Sequence, residues 1–130
     1  MITPAARGIY IVDVCDDAVL GKYRKTKHCV CVSVGEGRYL LINTHHRKMY
    51  HDFILKASDY DFLKGVDRFL SCYTPQPFTP AQIIKKVGTL SEQDSRILMG
   101  KIQTARFIDK ILKTKILDEL SKTMNTQGTP

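Results

Sequence analysis

Three of the four histidines of this 130-residue chain, His28, His45 and His46, fall in one stretch with Lys22, Arg24, Lys25, Lys27, Arg38, Arg47 and Lys48. Imidazole changes charge nearest neutral pH, and guanidinium and ammonium groups hold phosphate, so the chemistry this set suggests is metal-free cleavage of RNA. That reaction needs a base for the 2′-hydroxyl proton, an acid for the leaving oxygen and a cation on the phosphate. Arg24, Thr44, His45 and His46 are candidates for these parts, with His46 or His28 as the titrating group. The competing reading is that the adjacent histidines are simply solvated in a polar loop.

Only Glu36 opposes the seven cations between residues 22 and 48, a local excess of +6 in a chain whose net charge is +7, while residues 1–21 sum to −2. Charge concentrated in this way suits a polyanion, and RNA or DNA is the natural partner. Lys22, Lys25, Lys27, His28, Arg47 and Lys48 are therefore expected to contact nucleic acid. Tyr23 and Tyr39 lie in the same stretch and offer rings for base stacking, although Tyr39 packs as readily into a sheet.

Cys15, Cys29, Cys31 and Cys72 are read as small buried hydrophobes that stay reduced. Cys29 and Cys31, with His28, His45 or His51, are a conceivable zinc set, but Cys-x-Cys lacks the usual knuckle spacing. Gly35-Glu36-Gly37 belongs to a turn and lacks the lysine of a phosphate loop. Neither metal nor cofactor is called for.

These side chains need a scaffold, and apolar periodicity supplies its outline. Gly8 to Cys15 alternates as a strand; His28 to Val34 and Arg38 to Thr44 form a hairpin about Gly35-Glu36-Gly37. Phe53 to Leu55 and Asp67 to Tyr73 are further strands. Thr79-Pro80 has the form of an N-cap and first helical residue, predicting a short helix through Lys86 that Gly88 closes. Ser91 and Asp94 form a capping-box pattern, and Leu98, Ile102, Ala105, Ile108, Leu112, Ile116 and Leu120 then mark one apolar helix face, carried on one helix or two. The expected fold is α+β: a small SH3-like antiparallel β-barrel followed by C-terminal helices, one domain over residues 1–124 with a disordered tail at 125–130. The loops before the second strand and after the third start at the same end of the hairpin, so their basic clusters are expected to flank one groove.

The segments Asp67-Arg68-Phe69-Leu70-Ser71-Cys72 and Val87-Gly88-Thr89-Leu90-Ser91-Glu92-Gln93-Asp94, with weaker similarity in Arg24 to Val34 and Leu40 to Thr44, resemble the MazF/PemK toxin family over about residues 8–105. The chain departs from that family's pattern where Lys25-Thr26-Lys27-His28 follows Arg24 without a proline, and at Leu41-Ile42-Asn43-Thr44-His45-His46. The resemblance implies an SH3-like barrel, a metal-independent endoribonuclease of a toxin-antitoxin system, a homodimer and a protein antitoxin as partner. It also implies that Arg24 faces the phosphate and Thr44 stabilises it. The alternative is a non-catalytic barrel module that binds nucleic acid or protein. No apolar run approaches the roughly 20 residues that span a bilayer, and the N-terminal residues lack the pattern of a signal peptide, so the expected location is the cytoplasm without membrane contact.

Overall fold

The computed structural model of the chain describes residues 2–14, 25–43 and 51–125. Within them the β-branched and aromatic runs form strands β1 (Gly8–Asp13), β2 (Thr26–Ser33), β3 (Arg38–Asn43), β4 (Asp52–Leu55), β5 (Arg68–Ser71), β6 (Gln76–Pro77) and β7 (Ile83–Thr89). Helices α1 (Glu92–Thr104) and α2 (Lys110–Asn125) follow, so the fold is α+β. All strand pairs are antiparallel, in the order β4-β5-β3-β2-β1-β7, with β6 paired to β3. β4 and β7 are the two ends of this path, and the sheet does not close into a barrel. The barrel expectation thus reduces to a seven-stranded sheet backed by two helices.

The alternation of β1, β2 and β3 sends side chains to two separate cores. Ile9, Val30, Val32, Leu40, Ile42 and Leu70 face a core completed by Leu98, Ile102, Ile116 and Leu120 of the helices. Tyr10, Val12, Cys29, Cys31 and Tyr39 turn to the other face and pack with Ile83, Ile2 and Phe78. Of the predicted helix face, Leu98, Ile102, Leu112, Ile116 and Leu120 lie on helices and pack against the sheet, whereas Ala105 and Ile108 are buried in the link between the helices. The face is carried on two helices, because Asp109 caps the second: its Oδ2 accepts from the backbone N–H groups of Ile111 and Leu112, both at 3.1 Å. Lys113 reaches back to the carbonyl of Ala105 at 2.6 Å and satisfies the end of α1.

The predicted helix at Thr79 to Lys86 is corrected. Pro80–Gln82 makes a single 3₁₀ turn, closed where Gln82 Oε1 accepts from the Thr79 backbone N–H at 2.9 Å. The chain from Ile83 onward is then a strand on the free edge of β1. The proline and cap start a helical turn, but β1 has unpaired backbone groups along that edge, and the Ile83-Ile84 and Val87 side chains suit a strand. The helices therefore begin at Glu92, with Ser91 as N-cap accepting from Asp94 N–H at 3.1 Å. Only half of the predicted capping box forms. The hydroxyl of Tyr60 takes the other half, accepting from Ser91 N–H at 3.0 Å and donating to Asp94 Oδ2 at 2.6 Å. Burial and the Asp94 hydrogen bond push the Tyr60 phenol up to about 12.

Two further ties fix the sheet side to the helical side. Glu119 of α2 accepts from Val34 N–H at 2.8 Å and from the Ser33 hydroxyl, gripping the β2-β3 turn. Arg7, buried with φ 72°, donates from Nε to the Ser95 hydroxyl at 3.0 Å and from its guanidinium to the carbonyl of Leu90 at 2.8 Å. α2 runs to Asn125, so the predicted disordered tail at 125–130 is corrected at its first residue, and residues 126–130 lie outside the described residues.

Candidate nucleic-acid interface

At one end of the sheet the helical cover stops, and a groove of about 730 Å³ opens between the strands and the Asp61–Leu63 3₁₀ turn. Its floor follows from strand register: Ile11 of β1 lies opposite His28 of β2 and opposite Lys85 of β7. Lys86 beside Lys85, Asn43 at the end of β3 and Arg68 at the start of β5 line its walls, and Phe62, Lys64 and Asp61 form the rim contributed by the turn. Basic residues from four segments, His28, Lys64, Arg68 and the Lys85-Lys86 pair, thus border the groove together with one acid, Asp61.

The rim is shaped by backbone geometry. Lys64 sits at φ 52° and Gly65 at φ 81°, with Val66 N–H bonded back to the carbonyl of Leu63 at 3.2 Å, a tight turn with both central residues left-handed. Glycine reaches this conformation freely, whereas for Lys64 it costs about 1–2 kcal/mol. The ring of Phe62 lies over His28 at 5.1 Å between centroids and 30° between planes. Partial burial, then Arg68, then Lys64 hold the His28 imidazole below its ordinary range. At neutral pH His28 is neutral and free of a proton on one nitrogen, the state a general base requires.

Of the sequence-nominated contacts, His28 lines this groove. Lys25 is exposed, and Lys27, opposite Val12 in the ladder, alternates to the other face of β2 from His28, so neither lines it. Lys22, Arg24, Thr44, His46, Arg47 and Lys48, and also His45, lie outside the described residues. The chain enters β2 and leaves β3 at the end where the groove opens. Lys64, Arg68, Lys85, Lys86 and Phe62 were not nominated from sequence. Arg68 falls in the best-matched segment of the family resemblance, and Lys64-Gly65 carries a turn signal, but only the fold brings them to His28.

The cysteines do not belong to this site. Cys29, Cys31 and Cys72 are free and buried, and burial pushes Cys31 and Cys72 up to about 12 and Cys29 upward as well, so these thiols stay protonated. Cys29 and Cys31 turn away from His28 into the second core. Among the described residues no cluster of three His, Cys, Asp or Glu side chains is placed to hold a metal ion. Tyr39 is packed into the sheet at 1% exposure, with Tyr10 edge-on to it.

No protein-family model matches the chain, and no curated protein is significantly similar to it.

Proposed function

We propose that the groove binds single-stranded RNA and that the chain cleaves it without a metal ion, as the resemblance to the MazF/PemK toxins implies. The observation that carries the reading is the convergence of His28, Lys64, Arg68, Lys85 and Lys86 beside the Phe62 ring. Arg68 and the lysines attract the phosphates, and Phe62 offers a face to a base. Neutral His28 takes the 2′-hydroxyl proton; the freed oxygen bonds to phosphorus as the bond to the 5′ oxygen breaks. The products are a 2′,3′-cyclic phosphate and a 5′-hydroxyl, the departing oxygen taking its proton from a second group.

For that second group the resemblance and the sequence together offer His46, with Arg24 and Thr44 at the phosphate. Thr44 directly follows Asn43, which lines the groove. The SH3-like barrel belongs to the same reading, supported by the two register shifts between β1 and β7, irregularities of the kind that curve a strand. A homodimer, a protein antitoxin and a cytoplasmic location follow from it too. Among the described residues no helix is long and apolar enough to cross a membrane.

A non-catalytic module that holds nucleic acid or protein in the same groove is the second reading, favoured by the single imidazole in the described lining. Incubation of labelled single-stranded RNA with the protein in EDTA separates the two. Cleavage to cyclic-phosphate ends, lost in His28→Ala while binding persists, supports the nuclease. Binding without cleavage supports the module, and absence of RNA binding overturns the nuclease and leaves the module only with DNA or protein as its occupant.

A further inference from the structure

A second set of rings stands beyond the groove. Tyr73, just past β5, and Phe107, between the helices, are stacked at 4.6 Å between centroids and 34° between planes, yet remain 46% and 58% exposed. His51 meets both, at 5.1 and 5.9 Å. Stacking on each other hides part of these rings, and the exposure that is left is large for a Tyr and a Phe in contact. Two cations stand near these rings, with two carboxylates that are already engaged or buried. Arg106 beside Phe107 is exposed, Lys101 of α1 is close enough to act on Cys72, and the nearby carboxylate of Asp52 is buried. The Asp109 carboxylate is engaged in capping α2.

One of the rings is linked to the groove through a shared residue. Tyr73 lines a smaller hollow of about 310 Å³, and Asn43 lines both that hollow and the groove. Exposed aromatic faces flanked by cations, joined to a basic groove, are the surface on which the bases of a single strand stack while its phosphates are neutralised. Resting on the RNA-binding reading above, we infer that Tyr73 and Phe107 form a base-stacking platform that holds nucleotides beyond those in the His28 groove.

The test uses the full chain and oligouridylates of about 4 and about 12 nucleotides, lengths spanning the usual site sizes of single-strand binders. In the Tyr73→Ala/Phe107→Ala variant, affinity for the longer oligomer is expected to fall roughly 5- to 150-fold, the range for loss of one stacked base, while affinity for the shorter one holds. Its salt slope is expected to stay as in the unaltered protein, because stacking releases no counterions. Tyr73→Phe is expected to retain the affinity. Lys85→Glu/Lys86→Glu should instead weaken both oligomers and flatten the slope. The chain has no Trp, so Phe107→Trp gives a single reporter whose fluorescence should be quenched by the longer oligomer.

Equal affinity of the ring double variant and the unaltered protein for the longer oligomer overturns the platform and leaves the groove standing. Loss in the ring variant with none in the Lys85/Lys86 variant overturns the groove and keeps the platform. No binding to either oligomer overturns both. A concentration-dependent dimer that the ring variant abolishes, with RNA affinity unchanged, assigns the rings to a second copy of the chain and overturns the platform.

Discussion

The two ends of one sheet face treat the same strands differently. Along β2, Val32, Val30 and His28 project to the same side at the two-residue period of a strand. Val32 and Val30 are completely buried beneath α1 and α2, where Leu98, Ile102, Ile116 and Leu120 exclude water. One step further, His28 is covered only in part by the Phe62 ring and opens on Lys64, Arg68 and Lys85. The strand pattern is unbroken between the two ends; the covering element changes, from two helices to a three-residue turn. An apolar cover makes stability at one end, and a short polar rim leaves basic side chains usable at the other.

The largest effect should come from breaking the covered end. Leu98 is fully buried in the helix-sheet core, so Leu98→Ala removes packing on every side and is expected to cost about 2–5 kcal/mol, read as a lower midpoint in urea unfolding. RNA affinity of the folded fraction should hold, because Leu98 does not line the groove. A comparable loss of intrinsic affinity would show that the two ends are not separable. The next largest effect is expected at Glu119, whose carboxylate accepts from Val34 N–H and the Ser33 hydroxyl across the helix-hairpin junction. Glu119→Ala is expected to cost about 1.5–3 kcal/mol, the range for hydrogen bonds to a charged group, again measured by urea unfolding.

A smaller effect is expected at the open end, and from backbone instead of packing. Gly65 has φ 81° and no atom within 4 Å of where a Cβ would stand. Gly65→Ala therefore meets no clash and is expected to lose only the left-handed conformational allowance, about 1–2 kcal/mol. If it is neutral in urea unfolding, the Lys64-Gly65 turn is not strained, and the rim is a looser structure than its dihedral angles imply.

The covered end was far more legible in the sequence than the open one. The hairpin, the first and fifth strands and the apolar face of the two helices can all be read from periodicity, because a repeat of two or of three to four residues records which face is buried; the same repeat runs on through Ala105 and Ile108, which are buried in the link between the helices and so hide the break. The failure at Thr79 to Lys86 has the opposite cause: Thr79-Pro80 states a local start, while the decision to become β7 is made by the distant edge of β1. The site failed to be legible for a similar reason. A charge count directs attention to residues 22–48, where basic residues are dense, but Lys64, Arg68, Lys85 and Lys86 reach His28 through strand pairing and a turn, and no local run marks them. Alternation alone shows that Lys27 and His28 face opposite sides of β2; a charge count treats them alike.

The smallest and most specific prediction concerns His28 itself. In the native state, burial against the groove wall and the charges of Arg68 and Lys64 hold its pKa below 6.5, whereas in the unfolded chain it returns to about 6.5. Between those two values the unfolded chain binds more protons, so stability rises with pH. The contribution of neutral His28 is complete above about 6.5 and is lost as pH falls through the window down to the folded value. Urea midpoints should therefore drop less steeply with acidification in His28→Gln than in the unaltered protein, the difference between the two isolating this group from the carboxylates that titrate lower. Bound RNA acts with the opposite sign. A phosphate beside the imidazole offsets Arg68 and Lys64, raises the pKa and makes binding take up a proton, so affinity should increase as pH falls below neutral. That gain should vanish in His28→Gln. An imidazole that titrates at or above 6.5 by NMR in the free protein would place His28 outside the field of Arg68 and Lys64, and the open end would then lack the neutral base that the proposed cleavage requires.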